Sequence, residues 1–118
     1  MTFDSVRRIA MALPGVEEGT SYGTPAFRVR KKLLVRLRED GESVAVKVDF
    51  DERDFRMQAD PDAFFTTDHY RGYPTVLVSL ARVGKEDLQD LLVHAWRRVA
   101  LKRVVAAYDA VRAGQART

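Results

Sequence analysis

Between Ala26 and Asp49 apolar and polar residues alternate with a period of two, and that alternation constrains the fold more than any other feature of the chain. Phe27 and Val29 alternate with Arg28 and Arg30; Leu33, Val35 and Leu37 with Leu34, Arg36 and Arg38; Val44, Val46 and Val48 with Ala45, Lys47 and Asp49. Successive side chains of a strand point to opposite faces, so the pattern predicts an antiparallel meander with one apolar face. Asp40-Gly41 supplies a hairpin turn. The first turn, around Lys31-Lys32, has no glycine. A fourth strand is expected at residues 75–81, with Val76, Val78 and Leu80 inward.

An apolar sheet face needs a covering layer, and the flanking segments carry helical periodicity. Phe3, Val6, Ile9, Ala10 and Leu13 recur at helical spacing over residues 2–13, with Thr2 as cap and Pro14-Gly15 as stop. Residues 50–59 read as a helix capped by Asp49 or Asp51, and Asp60-Pro61 opens a short turn that Phe64 and Phe65 close. From Lys85 onward Leu88, Leu91, Leu92, Ala95, Trp96 and Val99 form one stripe, and Leu101, Val104, Val105, Tyr108 and Val111 another. The step from 99 to 101 is out of phase for one straight helix, which predicts a break near Ala100. The segment from Val16 to Pro25, punctuated by Gly19 and Gly23, reads as turn-rich. It lacks the strand and the Lys-Ser/Thr ending of a phosphate-binding loop. The expected fold class is α+β: an antiparallel sheet of four or five strands, helices on one face, order α-βββ-α-β-α(α). Residues 1–113 are expected to form one domain and 114–118 a frayed tail.

Several function classes fall away. The chain has no cysteine, hence no disulfide framework, thiol nucleophile or thiolate metal site. It shows no secretory leader and no run of about 18 apolar residues, so a cytoplasmic chain without membrane contact is expected. The two histidines do not form a recognisable metal motif, and no nucleophile elbow accompanies Asp68-His69. No catalysis, metal or cofactor is expected, and a monomer or weak dimer is.

Charge is segregated. Residues 49–68 hold seven acidic and two basic side chains, whereas residues 69–118 hold nine basic and four acidic. If the strand register holds, Arg28, Arg30, Arg36, Arg38 and Lys47 share the outward face of the sheet. Like charges on neighbouring strands cost stability, so such a face calls for an anionic partner or for acidic neighbours. A second group, Arg97, Arg98, Lys102 and Arg103, brackets the helix break, where freed helix-start amides would favour an anion. The loop from Thr66 to Pro74 sets Arg71 between Tyr70 and Tyr73, a pattern suited to stacking on a base or planar anion. Packing and solubility are the competing explanation for each of these groups.

Three stretches carry a family resemblance. Residues 14–29, Pro-Gly-Val-Glu-Glu-Gly-Thr-Ser-Tyr-Gly-Thr-Pro-Ala-Phe-Arg-Val, resemble the N-terminal signature of the MmcQ/YjbR-like proteins. His69-Tyr70-Arg71-Gly72-Tyr73-Pro74 with Val76-Leu77-Val78 resembles their central motif. Ala95-Trp96-Arg97-Arg98-Val99-Ala100 with Lys102-Arg103 is similar to their C-terminal one. The resemblance implies a fold related to frataxin-like and phage double-wing DNA-binding domains, and it carries over no catalytic residues. Two positions depart from the family pattern: Lys31 stands where glycine is frequent, and Leu101 where proline is. The reading that follows is DNA binding through phosphates, by Arg28, Arg30, Arg36, Arg38 and Lys47 with Arg71, Arg97, Lys102 and Arg103. The alternative is a module that binds an acidic protein or a small anion.

Overall fold

The computed structural model describes residues 1–116. Its elements are α1 (Phe3–Met11), β1 (Val16–Ser21), β2 (Thr24–Val29), β3 (Lys32–Leu37), β4 (Ser43–Lys47), α2 (Phe50–Ala59), β5 (Phe64–Phe65), β6 (Thr75–Ser79), α3 (Lys85–Val99) and α4 (Lys102–Ala116). The strands form one sheet in the order β1-β2-β3-β4-β6-β5, every neighbouring pair antiparallel. The α+β class and the covering helices are as expected, but the sheet has six strands.

Two of the six, β1 and β5, were not expected. The segment from Val16, read as turn-rich, is a full edge strand paired from Val16↔Val29 to Ser21↔Thr24. Its alternation is invisible because only Val16 is buried; Glu17, Glu18, Gly19 and Thr20 face water. Charged residues on an edge strand discourage pairing with another chain. β5 is two residues long, too short for any periodic signal.

The core lies between the sheet and the helices. Phe27, Val35, Val46, Val76 and Val78 line the sheet's inner face, and Val6, Leu88, Leu91, Leu92 and Trp96 meet them from α1 and α3. The Trp96 indole N–H donates to the Pro14 carbonyl at 2.9 Å, fixing the end of α1 against α3. Asp49 caps α2 by accepting from the Glu52 amide at 2.7 Å. The break between α3 and α4 falls where the phase slip placed it: Ala100 is extended (φ −73, ψ 153). Val104, Val105 and Tyr108 then return α4 to the core. The tail expected to fray from residue 114 continues helical to Ala116, and residues 117–118 lie outside the described part. No helix among the described residues is long and apolar enough to cross a membrane.

A bulge between Phe27 and Arg28 shifts the register of β2 against β3. As a result Leu34 and Val35 both enter the core, and Leu33, expected inward, lies on the outer face. An extra residue in one strand has this consequence, because each strand position flips the face.

Candidate functional site: a cationic corner and a tyrosine-walled hollow

The outer face is not the open plate of cations that alternation suggests. One row crosses all six strands: Gly19, Ala26, Arg36, Ala45, Leu77 and Phe65. The alanines either side of Arg36 leave room for its side chain to lie along the sheet, and the residue is only 7% exposed. Its guanidinium donates to the Tyr70 hydroxyl at 2.7 Å, the Glu39 carboxylate at 3.1 Å, the Leu37 carbonyl at 3.2 Å and the Thr24 hydroxyl at 3.3 Å. Burial works to lower the Arg36 pKa, but Tyr70 and Glu39 together outweigh it and leave the pKa raised. Arg38 is likewise engaged, donating to Ser43 at 2.9 Å and Asp40 at 3.4 Å beneath the rings of Phe65 and Tyr70. Arg28 donates to the Thr20 carbonyl at 2.9 Å. The outward reading of these arginines is correct in face and incorrect in exposure. Loop 66–74 folds over the sheet and brings Tyr70 onto Arg36 and Arg38.

That loop is held from two sides. Tyr70 bonds Arg36, while Arg53 of α2 donates to the Arg71 carbonyl at 2.8 Å. Arg71 itself points into water and pairs with Asp68 at 2.9 Å. Asp68 is therefore occupied by Arg71, and the His69 ring lies edge-on to Tyr70 at 5.0 Å. His94, half-exposed on α3, sits 3.3 Å from Asp49 and 3.6 Å from Glu52. Among the described residues no group of three or more metal-ligating side chains is placed to hold an ion.

Between loop and sheet lies a hollow of about 400 Å³. Ala45, Leu33 and Thr75 floor it; Tyr22, Tyr70, Tyr73 and His69 wall it; Arg36 and Lys47 bring positive charge and Glu39 negative. Sequence reasoning did not single out Tyr22 or Leu33. Tyr22 arrives through a two-residue turn closed by Ser21↔Thr24, with φ of 53 at Tyr22 and 80 at Gly23.

The remaining cations gather elsewhere. Val29↔Lys32 closes a turn whose two central residues, Arg30 and Lys31, both have positive φ, 52 and 68. This is the backbone that Asn-Gly usually supplies, because its twist matches that of the strands. The Arg30 guanidinium reaches the Val99 carbonyl at the end of α3, 3.4 Å away. The hairpin tip therefore sits beside the α3–α4 joint, where Lys102 opens α4. Arg30, Lys31, Lys32 and Lys102 are all exposed, and none has a carboxylate partner among the described residues. Arg103 starts the same helix but lines a groove between α1 and α4. Arg97 is engaged in a two-pronged pair with Asp109 at 2.8 and 2.5 Å.

A six-stranded antiparallel sheet with helices on one face and a folded-over loop on the other defines a small open-sheet α+β protein. The chain belongs to the YjbR family, whose model matches residues 11–98. It is 34% identical over 125 residues to the uncharacterized proteins Rv2570 of Mycobacterium tuberculosis and Mb2600 of Mycobacterium bovis, matching 91% of this chain and 95% of each relative. Its fold is that of a Deinococcus radiodurans protein, DR2400, whose crystal structure carries the family-model domain DUF419. The TM-score is 0.71 and the identity 24%, over 86% of this chain and 80% of that one.

Proposed function

We propose that this YjbR-family chain is a non-catalytic cytoplasmic module that binds nucleic acid, DNA in the first instance, through its phosphates at the corner between the β2–β3 turn and the α3–α4 joint. The observation that carries the reading is the contact of Arg30 with the Val99 carbonyl. It joins two basic stretches distant in sequence into one surface of exposed cations without acidic partners among the described residues. Unpaired lysine and arginine groups release counterions from a phosphate backbone, which supplies sequence-independent affinity. Arg28, Arg36 and Arg38 drop out of this proposal: Arg36 and Arg38 have carboxylate partners in Glu39 and Asp40, and Arg28 is engaged with the Thr20 carbonyl. No recognition helix or base-reading pattern accompanies the corner, so binding is expected to be indifferent to sequence.

The test is binding of a labelled duplex to the wild type, to the double variant K31E/K102E and to R71E, whose arginine is equally exposed but lies in the loop over the sheet. Reversing two charges at the corner should weaken binding by about tenfold or more, while R71E stays within about twofold. Equal affinity in all three proteins, or no binding by the wild type at about 50 mM salt, contradicts it.

A second reading, a small-anion site, is favoured by a different observation, the hollow beneath loop 66–74.

A further inference from the structure

We propose that this hollow is a binding site for a small planar anion: one aromatic ring system bearing a single carboxylate or phosphate group. The inference goes beyond phosphate binding at the corner and uses different residues.

Charge sets the first property of the ligand. Three residues with full charges line the hollow: Arg36, Glu39 and Lys47. Arg36 and Glu39 satisfy one another at 3.1 Å. Lys47 is half-buried at the end of β4, opposite Thr75, and no carboxylate or carbonyl among the described residues accepts from its ammonium. An ammonium drawn partly out of water without a counter-charge is costly to keep. One uncompensated positive charge in the hollow calls for one anionic group.

Ring geometry sets the second. Tyr22 is 86% exposed and Tyr73 53% exposed, yet both border the same cavity. Tyr22 is held at φ 53, a left-handed conformation that is an outlier for a bulky side chain. Its ring covers the Arg36 guanidinium, 5.4 Å from the ring centroid. That contact uses the face of the ring turned to Arg36. Backbone strain of this kind collects where a side chain must be presented in one place. Exposed tyrosine rings around a cation stack on planar groups at low entropic cost.

Size sets the third. About 400 Å³ falls at the lower end of the range for small-molecule sites, too little for a protein segment and enough for one ring system with its acid. Aromatic carboxylates and nucleoside monophosphates share this chemistry, and the experiment separates them.

The purified chain is titrated with benzoate, adenosine monophosphate and inorganic phosphate, following the side-chain resonances of Tyr22, Tyr73 and Lys47 by NMR. The variants are K47Q and Y22N. The latter leaves Asn-Gly at the turn, a sequence that favours the same backbone and so keeps the hairpin folded. The proposal expects at least one of the two aromatic anions to saturate, with both tyrosine rings shifting and inorganic phosphate binding far more weakly. Either variant should weaken that binding by about tenfold. Preference for benzoate identifies the carboxylate class and preference for the nucleotide the phosphate class. Saturation by neither aromatic anion at millimolar concentration overturns the proposal. So does inorganic phosphate binding as tightly, or binding unchanged in both variants. Duplex binding is measured on the same proteins: Y22N should leave it unaltered, and K31E/K102E should leave the aromatic anion bound. The two proposals therefore fail separately.

Discussion

Lys31 occupies a backbone position that an L side chain enters at a cost. Its φ of 68 follows that of Arg30 at 52, so two consecutive non-glycine residues are left-handed. Each such residue costs about 1–2 kcal/mol relative to its preferred conformations. Replacing Lys31 with glycine removes that cost but adds chain entropy to the unfolded state, for a net gain of about 0.5–1 kcal/mol. K31G should therefore raise the melting temperature by roughly 2–5 °C, as calorimetry would show. The same change should weaken duplex binding, since the tip loses a cation. A protein made more stable and a poorer binder by one substitution is what a functionally retained lysine predicts. A lower melting temperature would show that the turn does not hold strain at this residue.

At the scale of elements, α4 is fastened by few groups. Tyr108 packs on Trp96, the ring centroids 4.9 Å apart, and the Arg97–Asp109 pair spans the joint. The Arg97 guanidinium holds the Asp109 carboxyl below its ordinary value of 3.8. A carboxyl with a depressed folded pKa stabilises the native state above its unfolded pKa, and that contribution disappears as pH falls through the folded value. The melting-temperature difference between wild type and D109N should therefore be present at pH 6 and vanish in the acid range below about 3.9. A difference independent of pH would mean that Asp109 acts through its shape or as a helix residue, with no part for its charge.

Legibility also divides by element. The three central strands, the four helices and the break at Ala100 could be read because each carries a periodic burial signal, or a slip in one. β1 could not, because an edge strand with one face in water and a polar sequence has almost no alternation to show. The bulge at Phe27/Arg28 was hidden for another reason: an extra residue leaves no local mark when the residues around it, Leu33 to Val35, are all apolar. The candidate site was legible only in part. Alternation placed Arg36 and Lys47 on one face correctly. It could not foresee that Tyr70, 34 residues further on, would lie over Arg36 and take its guanidinium. The α3–α4 joint was identified as basic, but Lys31 and Lys32 read only as a turn without glycine, and the meeting of tip and joint depends on tertiary structure.

At the scale of the whole molecule the charge is organised, and its arrangement matters more than its net value of +3. The acidic stretch supplies α2 and its surroundings, where Asp49 and Glu52 are taken up by a helix cap and by His94, Arg56 and Arg98. The sheet arginines are taken up by Thr20, Glu39, Asp40, Ser43 and Tyr70. At one corner Arg30, Lys31, Lys32 and Lys102 are exposed together, without acidic partners among the described residues, and these are the groups proposed to contact phosphate. Duplex affinity measured across a salt series tests this most directly. With four phosphates neutralised, log K should fall with log salt at a slope of about −3.6, and K31E/K102E should flatten it by about 1.8. A slope near zero in the wild type, or one unchanged in the double variant, would contradict the account.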